Sequence, residues 1–90
     1  MKIQTEAFYL GKSDLHSSKT GKDFTKYSLI IEGGFATFIV PKKRGDEINK
    51  NAGKILAEFD KTHNPQRCNA EIALDFTERG NFTSLLNIGA

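Results

Sequence analysis

Apolar and polar residues alternate along most of this chain, and the alternation predicts a mainly β domain. Between positions 46 and 59 the apolar residues follow a different pattern, at offsets of 4, 7, 8 and 11 from Ile48, which is typical of one face of a helix. These residues are Ile48, Ala52, Ile55, Leu56 and Phe59. The period-two segments, which predict strands, are 2–10, 23–32, 35–41, 68–76 and 82–88. The predicted order is three strands, one helix and two strands.

Loops and turns are predicted between these elements. Residues 11–21 are rich in Gly, Ser and Lys and predict a long first loop. The pair Gly33-Gly34 predicts a two-residue hairpin turn with Glu32 opposite Phe35, because glycine tolerates the positive φ angles of such a turn. Shorter connections are expected at 62–66 and 78–81.

The predicted hairpin register divides strands two and three into two faces, because directly opposed residues lie on the same face. One face is apolar and should be the interior; it pairs Ile31 with Ala36, Leu29 with Phe38 and Tyr27 with Val40. The other face mixes lysine, hydroxyl and apolar groups; it pairs Ile30 with Thr37, Ser28 with Ile39 and Lys26 with Pro41, with Phe24 near Lys43 and Phe35 at the tip. Exposed apolar groups usually mark a contact surface, although the helix, a loop or a second subunit would also account for them.

Five strands with a helix between the third and fourth predict a small closed barrel. We expect a single domain over 1–90: a five-stranded OB-fold barrel with one helix between strands 3 and 4. A curled open sheet with one packed helix is the main alternative. Ninety residues allow one modest core and no second one.

Charge is distributed unevenly, although the net charge is only +2. Residues 12–44 carry seven basic and three acidic side chains, whereas residues 45–90 carry five basic and seven acidic ones. This asymmetry favours an anionic partner for residues 12–44.

Compartment and membrane association follow from two simpler features. The single cysteine, Cys68, has no partner for an internal disulfide, which fits a reducing compartment. No run approaches the roughly 20 apolar residues of a membrane span. We therefore expect a cytoplasmic protein without membrane association.

The motifs that would carry catalysis, nucleotide binding or metal binding are incomplete. The sequences GKS (11–13) and GKD (21–23) lack the glycine that a phosphate-binding loop needs five residues before its Gly-Lys pair. His16, His63 and Cys68 have no metal-ligand spacing, and a zinc site needs about four ligands. We predict no enzyme and no cofactor.

Basic residues interleaved with aromatic ones are the remaining signal. Cations that follow a phosphate backbone and aromatic rings that stack on unpaired bases are the means by which single-stranded nucleic acid is bound. In OB folds the contact surface is strands two and three with the loops between strands 1–2 and 4–5. The candidate nucleic-acid-binding residues lie on those elements or just after them: Lys19, Lys22, Phe24, Lys26, Phe35, Lys42, Lys43, Arg44, Arg79 and Phe82.

Two short stretches also carry a family resemblance. GKDFTKYSL (21–29) and GNFTSLLNI (80–88) resemble the small OB-fold single-stranded-DNA-binding proteins of phages and plasmids, in particular the filamentous-phage gene V protein type. The resemblance lies in a Gly-Lys-x-aromatic step before a Tyr-Ser-Leu strand, and in a Gly-x-Phe-x-Ser-Leu hairpin. It matches Lys22, Phe24 and Phe82 to family positions and implies cooperative, sequence-independent coating of single-stranded DNA by a homodimer. The 46–59 helix is not a feature of that type.

Three functions are therefore open at the level of sequence. The first is sequence-independent single-stranded-DNA binding, in replication or transfer of a phage or mobile element. The second is a protein-interaction module, such as a phage-encoded inhibitor or accessory subunit, which the modest net charge favours. The third is an RNA-binding OB domain, which differs in recognition of the 2′-hydroxyl group.

Overall fold

Five antiparallel strands form a single sheet in a computed structural model of the chain, and two helices connect the third strand to the fourth. The structure describes residues 1–89, with the backbone alone at positions 77 and 81. The sheet order is β3-β2-β1-β4-β5. The elements are β1 (Lys2–His16), β2 (Asp23–Ile31), β3 (Gly34–Pro41), α1 (Lys42–Asn51), α2 (Gly53–Thr62), β4 (Gln66–Thr77) and β5 (Gly80–Gly89). The predicted mainly β class is confirmed.

The first strand is longer than predicted, and most of the expected 11–21 loop is part of it. Gly11 has φ +121° and lies at a bulge between Tyr9 and Gly11 in the pairing of β1 with β2. The strand continues beyond this bulge to His16, which pairs with Asp23. Only residues 17–22 remain as a loop, because the bulge bends the strand without ending it.

The β2–β3 turn lies one residue earlier than predicted. Its central residues are Glu32 and Gly33, with φ of 52° and 76°, and Ile31 pairs with Gly34. Two consecutive positive φ angles are the requirement of a type I′ hairpin turn. The register therefore differs by two residues from the prediction, so that Leu29 pairs with Ala36 and Tyr27 with Phe38.

Each side chain of β2 and β3 lies on its predicted face despite the register difference, because side chains alternate with a period of two along a strand. Tyr27, Leu29, Phe38 and Val40 are buried, as predicted for the interior. The opposite face consists of exposed and half-buried side chains and is covered by neither helix, with Phe35 72% and Ile39 59% exposed.

The helical region differs from the predicted single helix over 46–59. It begins at Lys42, ends at Thr62 and is divided at Ala52, whose φ and ψ are −100° and 18°. Gly53 follows the division, and glycine is among the least stable helix residues. The predicted apolar stripe is confirmed nevertheless: Ile48, Ala52 and Leu56 are buried, and Ile55 and Phe59 pack against them. No helix within residues 1–89 is long and apolar enough to cross a membrane.

One core joins both parts of the sheet to the helices. The first strand is shared, since it pairs with β4 from Lys2 to Tyr9 and with β2 from Ala7 to His16. The edge strands β3 and β5 contact each other without pairing, so the sheet is curled but open. The space inside holds the buried side chains of all five strands and both helices.

The β4–β5 hairpin extends beyond the end of β1. Met1 bonds to Leu74 through backbone groups, and the hairpin continues from there to its turn at 78–79. Side-chain alternation puts Phe76 on the same face as Ile72 and Leu74, but it lies past the core and is 67% exposed.

Candidate functional site

Four rows of side chains cross the face of β1, β2 and β3 that points away from the core, which we call the outer face. The strand register defines each row, because opposed residues on adjacent strands share a face. From one end of β2 to the other, the rows are Phe8–Ile30–Phe35, Gly11–Ser28–Thr37, Ser13–Lys26–Ile39 and Leu15–Phe24–Pro41. The two end rows are apolar, and the two middle rows carry hydroxyl groups and one cation.

The first end row, which we call the Phe8 row, continues onto β4. Phe8 lies opposite Ile30 on one side and opposite Arg67 on the other. Both of its aromatic rings are open to solvent, with Phe8 42% exposed. The Arg67 Nε donates to Glu6 Oε1 at 2.6 Å on the surface. The row thus presents two aromatic rings and ends in a guanidinium group.

The other end row, which we call the Phe24 row, borders a shallow cavity of about 260 Å³. Phe24 and Leu15 line this cavity together with Lys42, the first residue of α1. Its rim also includes Asp14, His16 and Asp23, and His16 Nδ1 lies 2.7 Å from Asp23 Oδ1. An apolar floor and a lysine therefore meet here beside a carboxylate-histidine pair.

Lys26 is the cation that the structure places between the two end rows. It is half-buried and lies opposite Ile39 on β3 and Ser13 on β1. Its stem covers part of the apolar strand surface, as long cationic side chains commonly do. Three of the candidate nucleic-acid-binding residues, Phe24, Lys26 and Phe35, therefore share one face, in agreement with the faces predicted from the sequence.

The other predicted basic residues surround this face or lie farther away. Lys19 and Lys22 are exposed in the 17–22 loop, which is closed by a backbone bond from Gly21 N–H to Ser17 O of 2.8 Å. Lys43 and Arg44 follow Lys42 in the first turn of α1. Arg79 and Phe82 belong to the β4–β5 hairpin, where Phe82 lies opposite Asp75 and is 54% exposed.

Several outer-face residues were not among the sequence candidates. Phe8 and Arg67 are on β1 and β4, which are not part of the predicted contact surface. Leu15 was assigned to a loop, and its position opposite Phe24 follows only from the extension of β1. Ile39 was expected on the outer face as an apolar group. Alternation along β1 could have identified Phe8, since it stands between the buried Ala7 and Tyr9.

The soft-ligand residues stay apart in the fold. His63 packs edge-on against Phe59, with ring centroids 6.2 Å apart. Cys68 is buried, and burial raises the pKa of its thiol. Within the described part of the chain, no group of three or more His, Cys, Asp or Glu side chains is placed to hold a metal ion.

Comparison with known protein families, with curated proteins and with solved structures finds no match to this chain. The outer face and its charges are therefore the basis for inferring function.

Proposed function

We propose that this protein binds single-stranded DNA without sequence preference through its outer face. The observation that carries the proposal is the pair of apolar rows, separated by hydroxyl groups and Lys26. The Phe8 row has two exposed aromatic rings, whereas the ring of Phe24 in the other row is half-buried. Exposed rings stack on any unpaired base, and cations contact the phosphates. A surface of this composition would contact unpaired bases and phosphates, which all single strands have in common.

The fold supports the same proposal. We infer an OB-type barrel from the sheet order and from the contact between its edge strands β3 and β5, because OB folds are five-stranded and partly open. The OB contact surface would consist of β2 and β3 together with the 17–22 loop and the β4–β5 turn. Lys19 and Lys22 lie in the first of these loops, and Arg79 in the second.

A protein-interaction module is the second candidate, because three aliphatic side chains share the outer face with the aromatic ones. Leu15 and Ile39 are both exposed, and Ile30 lies between Phe8 and Phe35. Lys26 is the single cation within the four rows. A partner that buried the whole face would use its apolar area, whereas a single strand would use its rings and cations.

Titration of a labelled oligo-dT by fluorescence anisotropy, at several salt concentrations, tests the proposal. Log affinity should fall with log salt, by about 0.7 for each phosphate contact. Phe35→Ala should weaken binding roughly 5- to 150-fold, since stacking contributes about 1–3 kcal/mol per base. Phe76→Ala is the matched control, because Phe76 is equally exposed but lies on the other face of the sheet.

The outcomes separate the candidates. Absence of oligo-dT binding, or binding that does not depend on salt, would refute the nucleic-acid proposal. A length-matched RNA oligomer distinguishes DNA from RNA binding through the 2′-hydroxyl group. Sedimentation of the free protein and of the complex shows whether a homodimer, the state that the family resemblance implies, is the binding unit.

A further inference from the structure

The two apolar rows lie at opposite ends of the outer face of β2. Ile30 of the Phe8 row and Phe24 of the Phe24 row are six residues apart on one continuous strand. At about 3.3 Å per residue, the two rows are roughly 20 Å apart. The rows are therefore too far apart for two adjacent bases to contact both.

Each row has a cation at one end, and a third cation lies between the rows. Arg67 is opposite Phe8, Lys42 shares the cavity of Phe24, and Lys26 stands midway along β2. Arg67 and Lys42 are held in exposed ion pairs, with Glu6 at 2.6 Å and with Asp46 at 3.2 Å. Exposed pairs contribute little to stability, so either cation is free to exchange its carboxylate for a phosphate.

Carboxylates near the rows restrict where phosphates can lie. Glu6 and Glu32 line a cavity of about 320 Å³ beside Phe8 and Ile30, and Asp14 and Asp23 line the cavity beside Phe24. These carboxylates repel phosphate from the two apolar floors. The rows are thus suited to bases, whereas the backbone is attracted to Lys26 and to the cations at the row ends.

We propose that the outer face holds two base-stacking subsites, one at each apolar row, joined by a single strand that runs along β2 over Lys26. This inference rests on the proposed function. An extended single strand advances roughly 6–7 Å per nucleotide, about twice the stacked repeat of 3.4 Å. Spanning roughly 20 Å therefore takes about three steps, so the two stacked bases are three positions apart and the shortest complete ligand is a tetranucleotide.

Oligonucleotides of ten nucleotides and constant charge directly test the spacing between the two subsites. Each carries two thymines in an otherwise abasic strand, and the separation of the thymines varies from one to seven positions. Anisotropy competition against labelled dT10 should show the tightest binding at a separation of three or four, at least fivefold tighter than at one. Phe35→Ala should abolish this optimum, whereas Phe76→Ala should leave it intact.

The experiment distinguishes failure of the proposed function from failure of the two-subsite arrangement. If dT10 itself does not bind, the proposed function is wrong and so is the inference. If dT10 binds but affinity is independent of thymine separation, or if the optimum persists in Phe35→Ala, the two-subsite arrangement is wrong and the proposed function stands. Far-UV circular dichroism of each variant confirms that the sheet is retained.

Discussion

The phenol hydroxyl of Tyr27 donates a hydrogen bond to the backbone carbonyl oxygen of Gly45 at 2.9 Å and so ties β2 to the first turn of α1. The same hydroxyl lies 2.6 Å from the side-chain oxygen Oδ1 of Asn49, one turn later. The ring of Tyr27 is completely buried. This contact fixes the helix against the inner surface of the strand whose other face carries Phe24 and Lys26.

Tyr27→Phe should lower the free energy of unfolding by about 0.5–1.5 kcal/mol, which is the net contribution of a typical hydrogen bond. The substitution keeps the ring but removes the buried hydroxyl that bonds to Gly45 O and lies beside Asn49 Oδ1. Urea denaturation followed by circular dichroism measures the change. Asn51→Ala is the control, because it removes an exposed side-chain bond to Asn87 and should cost less than about 0.5 kcal/mol. Equal losses in the two variants would contradict the role of the Tyr27 contact.

Alkaline pH should destabilise the protein through ionisation of the same residue. Burial, followed by the charges of Asp46 and Asp14, raises the pKa of Tyr27 from 10.0 to about 12. Burial also raises the pKa of Tyr9, with Asp60 and Tyr27 adding to the effect. Because both folded-state pKa values are raised, the stabilisation is complete below pH 10, and the part that Tyr27 contributes is lost as pH rises from 10 through about 12.

Denaturant midpoints between pH 8 and pH 11.5 measure this loss, and tyrosinate absorbance at 295 nm reports the ionisation. The fall in stability should begin near pH 10 and should be shallower in Tyr27→Phe, which has one fewer buried phenol to ionise. An identical pH profile in the variant and the parent protein would show that Tyr27 does not drive alkaline unfolding.

Gly45→Ala should destabilise the protein by about 1–3 kcal/mol, although alanine is the better helix former. A Cβ at position 45 would lie 2.5 Å from Thr25 Oγ1 and 2.9 Å from Thr25 Cβ, so α1 would have to move away from β2. Overpacking of this kind carries that cost. Gly53→Ala is the matched control in α2: its Cβ meets nothing within 4 Å, and the change should stabilise by up to about 1 kcal/mol. Thermal unfolding of both variants measures the contrast, which a stabilising Gly45→Ala would contradict.

The faces of β2 and β3 could be predicted from the sequence because they depend only on side-chain alternation. The sequence predicts the turn at Gly33-Gly34 instead of Glu32-Gly33, since a glutamate with φ of 52° is not expected in a turn that offers two glycines. That difference shifts the register by two residues, and a shift of two keeps every side chain on its face.

The extension of β1 could not be predicted in the same way. Beyond Gly11 the strand has left the core, so Lys12 and Asp14 are exposed although they lie opposite the buried Tyr27 and Thr25. Hydrogen-bonded pairing continues there without hydrophobic alternation, and hydrophobic alternation is the pattern that predicts a strand. Leu15 is therefore absent from the predicted site, and its position opposite Phe24 was not predicted. The start of α1 could not be predicted for a related reason, because residues 42–45 contribute no apolar side chain to the helical stripe.

Lys26→Gln should reduce the salt dependence of single-strand binding and should leave the stacking of bases on the two apolar rows largely unchanged. Removing one phosphate contact lowers the slope of log affinity against log salt by about 0.7 for a single strand. The glutamine keeps a stem of similar shape against Ile39, so the fold and the two apolar rows should be unchanged. Anisotropy titrations with dT10 at four salt concentrations give the slope for each protein. Lys61→Gln, in the last turn of α2, removes the same charge away from the outer face and should leave the slope unchanged. If both substitutions reduce the slope equally, binding depends on overall charge, and the path over Lys26 is wrong.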